Sequence, residues 1–364
     1  MTILYVTDAF AVWGGMERVL ADKMNYLVEQ YGYDVCLITI NQGQHSIPFP
    51  LSHMIKHLDL NVRMHEQYLY SGIRRVIKLR QLKNLLYKRL KDALLEINPD
   101  NIVCAKLDFV EVLNKVRGAI PLVVESHTLC NAERFGDSSW LRRLHVHRFK
   151  SNVGKTDVVV TLTEGDAEDW RKYNGNIIVI PNVVHLNDSE LKSNYCEKRI
   201  VFVVRADKQK DYDSLLRIWK LLYSRHPDWT LDIYGNDEIE ALGVGAHKPV
   251  ANIMEVFCNC SMLVLTSLFE PFGLVMPEAM SCGLPVVAFD CPYGPADIIT
   301  DGVDGFLVKN RDVNEFADRV CQLIEDKELR MRMGLAAIKS SQRYRTDLIM
   351  PKWKELFEGL CQKE

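Results

Sequence analysis

The sequence predicts an α/β protein built from two doubly wound, Rossmann-like domains. Three observations carry that expectation. Short apolar runs alternate with amphipathic helical stretches along the chain. The runs are continuous, as in Val158-Val159-Val160, which suits parallel strands covered on both faces. At 364 residues the chain exceeds what one hydrophobic core ordinarily serves, so two domains are the natural division.

In chain order, strands are expected at 3–8, 34–40, 54–60, 101–105, 121–127, 157–163 and 176–182. Helices are expected between them at 17–30, 73–96, 109–117, 140–152 and 164–173. The stretch 183–198 is polar and poorly periodic and reads as a linker. A second alternating series begins at Arg199, with strands at 200–204, 230–234, 262–266 and 286–289 and helices at 212–226 and 274–281, then a short one opening at Ala296. No strand is expected between Asn236 and Pro249, because no apolar run stands there. Helices at 327–344 and 347–360 close the chain, the last one amphipathic around Trp353 and Phe357.

Composition narrows the function classes. The formal net charge of −3 gives no whole-chain reason to expect nucleic acid. The ten cysteines are scattered, and Cys258-x-Cys260 lacks the C-x-x-C spacing of zinc or redox sites, so reduced thiols in a cytoplasmic protein are expected. No apolar run reaches 18 residues, and the first strand begins without a charged segment and apolar core before it. Neither a membrane-spanning helix nor a signal peptide is therefore expected. No Asp-x-Asp pair or His/Cys cluster suggests a metal, so no metal or cofactor is expected.

The densest candidate site runs from Leu268 to Val308. Glu270 stands at the mouth of the loop Pro271-Phe272-Gly273, just after the strand 262–266. Glu278 follows in the helix that begins near Leu274, and a second tight loop, Pro292-Tyr293-Gly294-Pro295, follows the next strand. Loops of this kind lie at the carboxyl ends of parallel strands, where free N–H groups and the helix dipole favour a phosphate. Side chains lean back toward a helix N-terminus, so both carboxylates can face one ligand. The pair alone reads equally well as a dipole-favoured helix acid and a solvated loop residue. Arg205 and Lys210 flank the loop after the first strand of the second domain, two cations suited to a diphosphate or simply two exposed basic residues. In the first domain, Gly14-Gly15 permits close backbone approach after the first strand, and His127 follows the strand 121–127. Paired glycines also suit a merely flexible loop, and a lone histidine is most often structural. The glycines do not make the G-x-G-x-x-G dinucleotide fingerprint.

The helix 73–96 carries eight basic residues, Arg74, Arg75, Lys78, Arg80, Lys83, Lys88, Arg89 and Lys91, against two acids. Its apolar residues from Ile73 to Leu94 suggest a buried stripe under a basic solvated face. The sharper alternative is a surface for anionic lipid, where each Lys or Arg adds about 1 kcal/mol. Arg142, Arg143, His145, His147, Arg148 and Lys150 add positive charge on another helix.

Glu270-x7-Glu278, followed by Ala279-Met280-x-x-Gly283-x-Pro285-Val286-Val287, resembles the E-x7-E signature of the retaining glycosyltransferases of family 4. Gly294-Pro295-Ala296-Asp297, Asp301-Gly302-x-x-Gly305, Arg205-x4-Lys210 and the Gly14-Gly15-x-Glu17-Arg18 loop follow at that family's spacings. The resemblance covers nearly the whole chain and is strongest over 199–308. It implies the GT-B architecture: an acceptor-binding domain at 1–183 facing a nucleotide-sugar domain at 184–340 across an interdomain cleft. The segment 341–364 would then pack back on the first domain.

The resemblance also implies roles. Arg205 and Lys210 would hold the donor diphosphate and stabilise the leaving group, Glu270 would contact the donor sugar, and Glu278 the ribose. The amides of Phe272, Gly273, Leu274 and Val275 would complete the cradle. Gly14 and Gly15 would admit acceptor and phosphate, and His127 would orient the transferred sugar. The Cys291-Pro292-Tyr293-Gly294-Pro295 loop is similar to that of bacterial capsule and O-antigen transferases. It implies a UDP-linked hexose or N-acetylhexosamine donor and a glycan or lipid-linked oligosaccharide acceptor. For such an acceptor, the basic helix 73–96 would let a cytoplasmic enzyme work peripherally on the inner membrane face. Two departures from the family pattern are Val204 in place of a glycine and a short stretch at 236–260, near where the base would lie. A non-catalytic sugar-nucleotide binder, or an epimerase or phosphorylase on this architecture, are the other classes the sequence allows.

Overall fold

The computed structural model describes residues 1–131, 140–204 and 208–362, the side chains of 140–145 excepted. It comprises two compact units, one of Met1–Val183 with Met350–Glu364 and one of Val184–Ile349.

The first unit holds seven strands: β1 (Thr2–Thr7), β2 (Asp34–Thr39), β3 (Lys56–Asp59), β4 (Asn101–Cys104), β5 (Leu122–Glu125), β6 (Val158–Thr161) and β7 (Ile177–Val179). All pair in parallel, in the order β3-β2-β1-β4-β5-β6-β7. The order reverses between β1 and β4, the doubly wound arrangement the alternating pattern predicts. On one face Leu4, Val6, Ile38, Ile102, Val124 and Val159 pack with Leu82, Leu86 and Leu90 of α2 (Gly72–Ile97) and with Val110 and Leu113 of α3 (Val110–Val116). Strand alternation turns Tyr5 and Glu125 to the other face. There they meet α1 (Gly15–Tyr31) and the last helix, α12 (Thr346–Cys361): Lys23 contacts Glu125 and lies over the rings of Tyr5 and Trp353. Helix α1 stops at Gly32, whose φ of 65° is the left-handed cap a glycine adopts without strain, its N–H bonded to Leu27 O. Helices α4 (Trp140–Val153) and α5 (Glu164–Trp170) complete the unit.

The second unit holds six parallel strands: β8 (Arg199–Val203), β9 (Thr230–Tyr234), β10 (Val244–His247), β11 (Met262–Leu265), β12 (Val286–Asp290) and β13 (Gly305–Lys309). Their order is β10-β9-β8-β11-β12-β13, so the reversal falls between β8 and β11. Ile200, Phe202, Leu231, Ile233, Val264 and Phe289 pack with α6 (Tyr212–Arg225) and α10 (Val313–Glu325). The helices α7 (Ile253–Cys258), α8 (Val275–Ser281), α9 (Gly294–Ile298) and α11 (Lys327–Ser341) complete it.

Two expectations are corrected. A strand, β10, does occupy 244–247 and pairs in parallel with β9. It escaped the sequence pattern because Val-Gly-Ala-His offers little apolar surface, and polar contacts hold it instead. His247 Nε2 lies 2.9 Å from Asp232 Oδ1, Arg199 Nε donates to Asp232 Oδ2 at 2.8 Å, and the His247 ring stacks on Tyr234. Gly245 leaves room for that carboxylate, since a Cβ there would sit 2.6 Å from Asp232 Oδ1. What is missing is a helix between β9 and β10; the link lies on α6, with Trp219 Nε1 donating to Leu242 O at 2.8 Å. The second correction concerns α2. Its buried residues are Leu82, Leu86, Leu90, Ala93 and Leu94, whereas Ile73, Val76 and Ile77 are 79%, 66% and 53% exposed. The first turns run beside the short 3-10 helix Met64–Leu69, itself without buried residues.

Candidate active site

In the second unit, Lys210 follows β8 and Glu270 follows β11, so the two stand at the point where strand order reverses. Open parallel sheets take their ligands at that crevice. Lys210 Nζ donates to Glu270 Oε2 at 2.6 Å, and Ser267 Oγ donates to the same oxygen at 3.1 Å. Both charges are largely withdrawn from solvent, with side-chain exposures of 14% and 9%. Their loops are joined by Leu268 N to Gln209 O at 2.8 Å, Gln209 Nε2 to Phe269 O at 2.8 Å and Thr266 Oγ1 to Lys210 O at 2.9 Å.

The Glu270 backbone is fixed from the other side by the loop after β12. Glu270 N donates to Pro292 O at 2.7 Å, and its carbonyl accepts from Gly294 N at 2.7 Å and Tyr293 N at 3.1 Å. A Cβ at Gly294 would lie 2.1 Å from Phe272 O, so only glycine allows this closeness. Gly273, at φ 90°, likewise packs against Met276 and the Glu270 side chain. The N-cap of α8 is Leu274, which has no side-chain acceptor for the first-turn amides after Phe272 and Gly273, and Val275 opens the helix. Glu278 lies on α8, 4% exposed. Nearby, burial and the Glu270 charge push the Cys291 thiol up to about 12 against Lys210, which leaves it a neutral packing group. Arg205 lies outside the described residues, as do the side chains of Arg142, Arg143 and His145.

In the first unit, Gly14 is the N-cap of α1 after β1, held in a turn by Gly14 N to Val12 O at 2.8 Å, and Gly15 opens the helix. His127 follows β5, its side chain only 6% exposed. The sequence did not mark the residues that hold it. Asp166 of α5 accepts from Cys130 N at 2.7 Å, Trp170 Nε1 at 3.1 Å and Ser126 Oγ at 3.3 Å, so it anchors the loop on both sides of His127. Glu125 Oε1 lies 3.1 Å from His127 Nε2 and contacts Lys23 Nζ. Burial pushes the Glu125 carboxyl up, but the Lys23 ammonium, with the His127 ring beside it, outweighs burial and holds it down at about 2. A signal for Lys23 was present: it interrupts the apolar stripe Leu20, Met24, Leu27 of α1.

One cluster the sequence spacing did not reveal lies away from these loops. His226 at the end of α6 and Cys321 and Glu325 of α10 place their ligand-type atoms within 4.8 Å of one another. Protein contacts already occupy it, with His226 Nε2 3.2 Å from Glu325 Oε1 and Arg225 Nη1 3.6 Å from Cys321 Sγ. All ten cysteines are free thiols, eight of them buried. Among the described residues no helix is long and apolar enough to cross a membrane.

Comparison with known proteins agrees with this layout. Residues 13–188 match the family model described as Glycosyltransferase Family 4, and residues 186–340 match that of Glycosyl transferases group 1. The amylovoran biosynthesis glycosyltransferase AmsD of Erwinia amylovora is 25% identical over 97% of this chain and 99% of its own. The poly(ribitol-phosphate) alpha-N-acetylglucosaminyltransferase of Staphylococcus aureus is 29% identical over 62% of this chain and 49% of its own. In fold, the chain is similar to the crystal structure of TarM, with a TM-score of 0.79 over 98% of each chain at 16% identity. It is also similar to the lipopolysaccharide outer core galactosyltransferase WaaB, with a TM-score of 0.74 over 99% of each chain at 17% identity. The two matched segments span the two Rossmann-like units, and the chain is accordingly a glycosyltransferase of the group 1 and family 4 type with a GT-B fold.

Proposed function

We propose that this glycosyltransferase transfers a hexose or N-acetylhexosamine, with retention, from a UDP-linked donor to a hydroxyl of a glycan or lipid-linked oligosaccharide in surface polysaccharide synthesis. The observation that carries the reading is the Lys210–Glu270 pair at the switch point of the second sheet. A nucleotide sugar brings a diphosphate, which needs fixed positive charge, and a sugar, whose hydroxyls need acceptors. Lys210, with Arg205 five residues before it in sequence, supplies the first; Glu270 supplies the second. As the glycosidic bond breaks, charge grows on the leaving phosphate, and cations held in place beforehand stabilise it without reorganising. The leaving phosphate takes the acceptor's proton on the face the acceptor attacks, so the reaction calls for no separate base. The first-turn amides of Phe272 to Val275 complete the phosphate cradle, and Glu278 accepts from the ribose. That AmsD is an amylovoran biosynthesis glycosyltransferase, and that a G117R mutant of TarM has been crystallised with UDP, support this donor and this process.

The test is transfer from a panel of labelled nucleotide sugars, with Glu270→Ala beside wild type. The three backbone hydrogen bonds of residue 270 do not need its side chain, so the variant should stay folded. We expect its turnover to fall by about 100- to 1,000-fold, the range for removing one preorganised polar group. Wild-type turnover in the variant removes Glu270 from the site.

We infer a peripheral contact with anionic lipid for the start of α2. Exposed Tyr68, Leu69, Ile73, Val76 and Ile77 stand beside exposed Arg74, Arg75 and Arg80, an apolar wedge set among cations. The protein should float with vesicles containing anionic lipid and not with neutral ones. Arg74→Glu/Arg75→Glu should abolish flotation without lowering the melting temperature. Equal flotation with neutral vesicles removes the electrostatic part of this reading.

A further inference from the structure

The first unit carries a buried charge network that packing does not explain. Lys23 and Glu125 are each 1% exposed and contact each other, and Lys23 Nζ also lies 4.2 Å from the centroid of the Trp353 ring. A buried ion pair is costly to desolvate, and apolar residues of similar volume commonly serve stability as well or better. The third member of the network is His127, whose Nε2 lies 3.1 Å from Glu125 Oε1, off the line of a straight hydrogen bond. Glu125 Oε2 and His127 Nε2 are both buried without a hydrogen-bond partner. A carboxylate and an imidazole nitrogen thus stand side by side, and a small rotation of the ring joins them, as buried polar atoms are ordinarily satisfied.

The backbone around His127 is already fixed. Asp166 holds Ser126 and Cys130, and Ser126 Oγ donates to Thr128 O at 2.7 Å. What this leaves open is the rotation of the imidazole and the nitrogen that carries its proton. An imidazole held by a carboxylate keeps its proton on the nitrogen facing that carboxylate.

We propose that Glu125, kept ionised in place by Lys23, is a positioning residue that holds the proton of His127 on Nε2 and presents Nδ1 as an acceptor to a sugar hydroxyl. Helix α12 takes part at one remove: the Trp353 face receives the Lys23 ammonium, so the last helix of the chain braces the pair. The role of His127 toward the sugar rests on the transferase reading above; the Glu125–His127 coupling does not.

The test is tautomer measurement by nitrogen-15 NMR of histidine-labelled protein, with His127 assigned by loss of its signals in His127→Asn. In the wild type, neutral His127 should carry its proton on Nε2. In Glu125→Gln the populations should move toward a mixture, and kcat should fall by about 10- to 100-fold, the usual loss for an orienting group, with little change in the donor KM. If Glu125→Gln fails to fold for want of a counter-charge to Lys23, Lys23→Met/Glu125→Leu removes both charges and gives the same readout. An unchanged His127 tautomer in the folded variant overturns the proposal even if the rate falls, since that fall would be structural. A shifted tautomer in a protein that turns over no nucleotide sugar upholds the coupling and sinks the transferase reading instead.

Discussion

Asp166 is 3% exposed beneath the His127 loop, and burial pushes its carboxyl up to about 6 from an ordinary 3.8, against the three hydrogen bonds it accepts. The folded state therefore holds this proton more tightly than the unfolded chain. Its contribution favours folding below the unfolded value and is lost as pH rises through the folded one, between about 4 and 6. Two pH units correspond to about 3 kcal/mol at neutral pH. Asp166→Asn cannot ionise, so the stability of wild type relative to the variant should fall by about that amount from pH 4 to pH 7. Urea melts across that range read it, and a pH-independent difference would remove Asp166 as the titrating group. The residue scale also shows what the sequence hides. Glu270 was legible from a long, spaced pattern, yet its partner Lys210 stands 60 positions away, and nothing local says the two side chains meet. Glu125 stood in plain view at the end of an apolar run, but a carboxylate there means little until Lys23 and His127 are seen around it.

At the scale of elements, every expected strand and helix with a strong period is present, within a few residues at its ends. The strand the pattern ruled out is instructive. β10 is an edge strand of Val-Gly-Ala-His, pinned by a carboxylate and an imidazole rather than by a buried face, so hydrophobic periodicity had nothing to register. The reverse error, the exposed start of α2, arises because periodicity reports which residues share a face but not whether anything covers it. The loop joining β12 to α9 is legible only as a glycine between prolines; its use becomes visible when Gly294 packs on the Phe272 carbonyl and donates to Glu270 O. Gly294→Ala must push one backbone segment off another. We expect a loss of about 1–3 kcal/mol, the usual cost of overpacking, together with weaker donor binding because Glu270 moves with the loop. Thermal melts with and without UDP read both effects. An unshifted midpoint would mean that the two loops separate without cost.

For the whole molecule, the decisive feature is that the chain enters the first unit twice. Met350–Glu364 belong with Met1–Val183, whereas the second unit is one continuous segment, Val184–Ile349. Helix α12 buries Met350, Trp353, Leu356, Phe357 and Leu360. At about 1.5–3 kcal/mol for each large apolar side chain, that face is worth on the order of 10 kcal/mol as an upper estimate. A domain's entire margin is about 5–15 kcal/mol, so the first unit cannot spare it. The loss would also uncover Lys23, which Trp353 covers, and with it the pair beside His127. A chain ending at Ile349 should therefore keep the second unit and lose the first. Hydrogen exchange should show β1, β4 and β5 unprotected while β8, β11 and β12 exchange as slowly as in the full chain. Protection retained in β1 would mean that the first sheet holds together through α1, α2 and α3 alone.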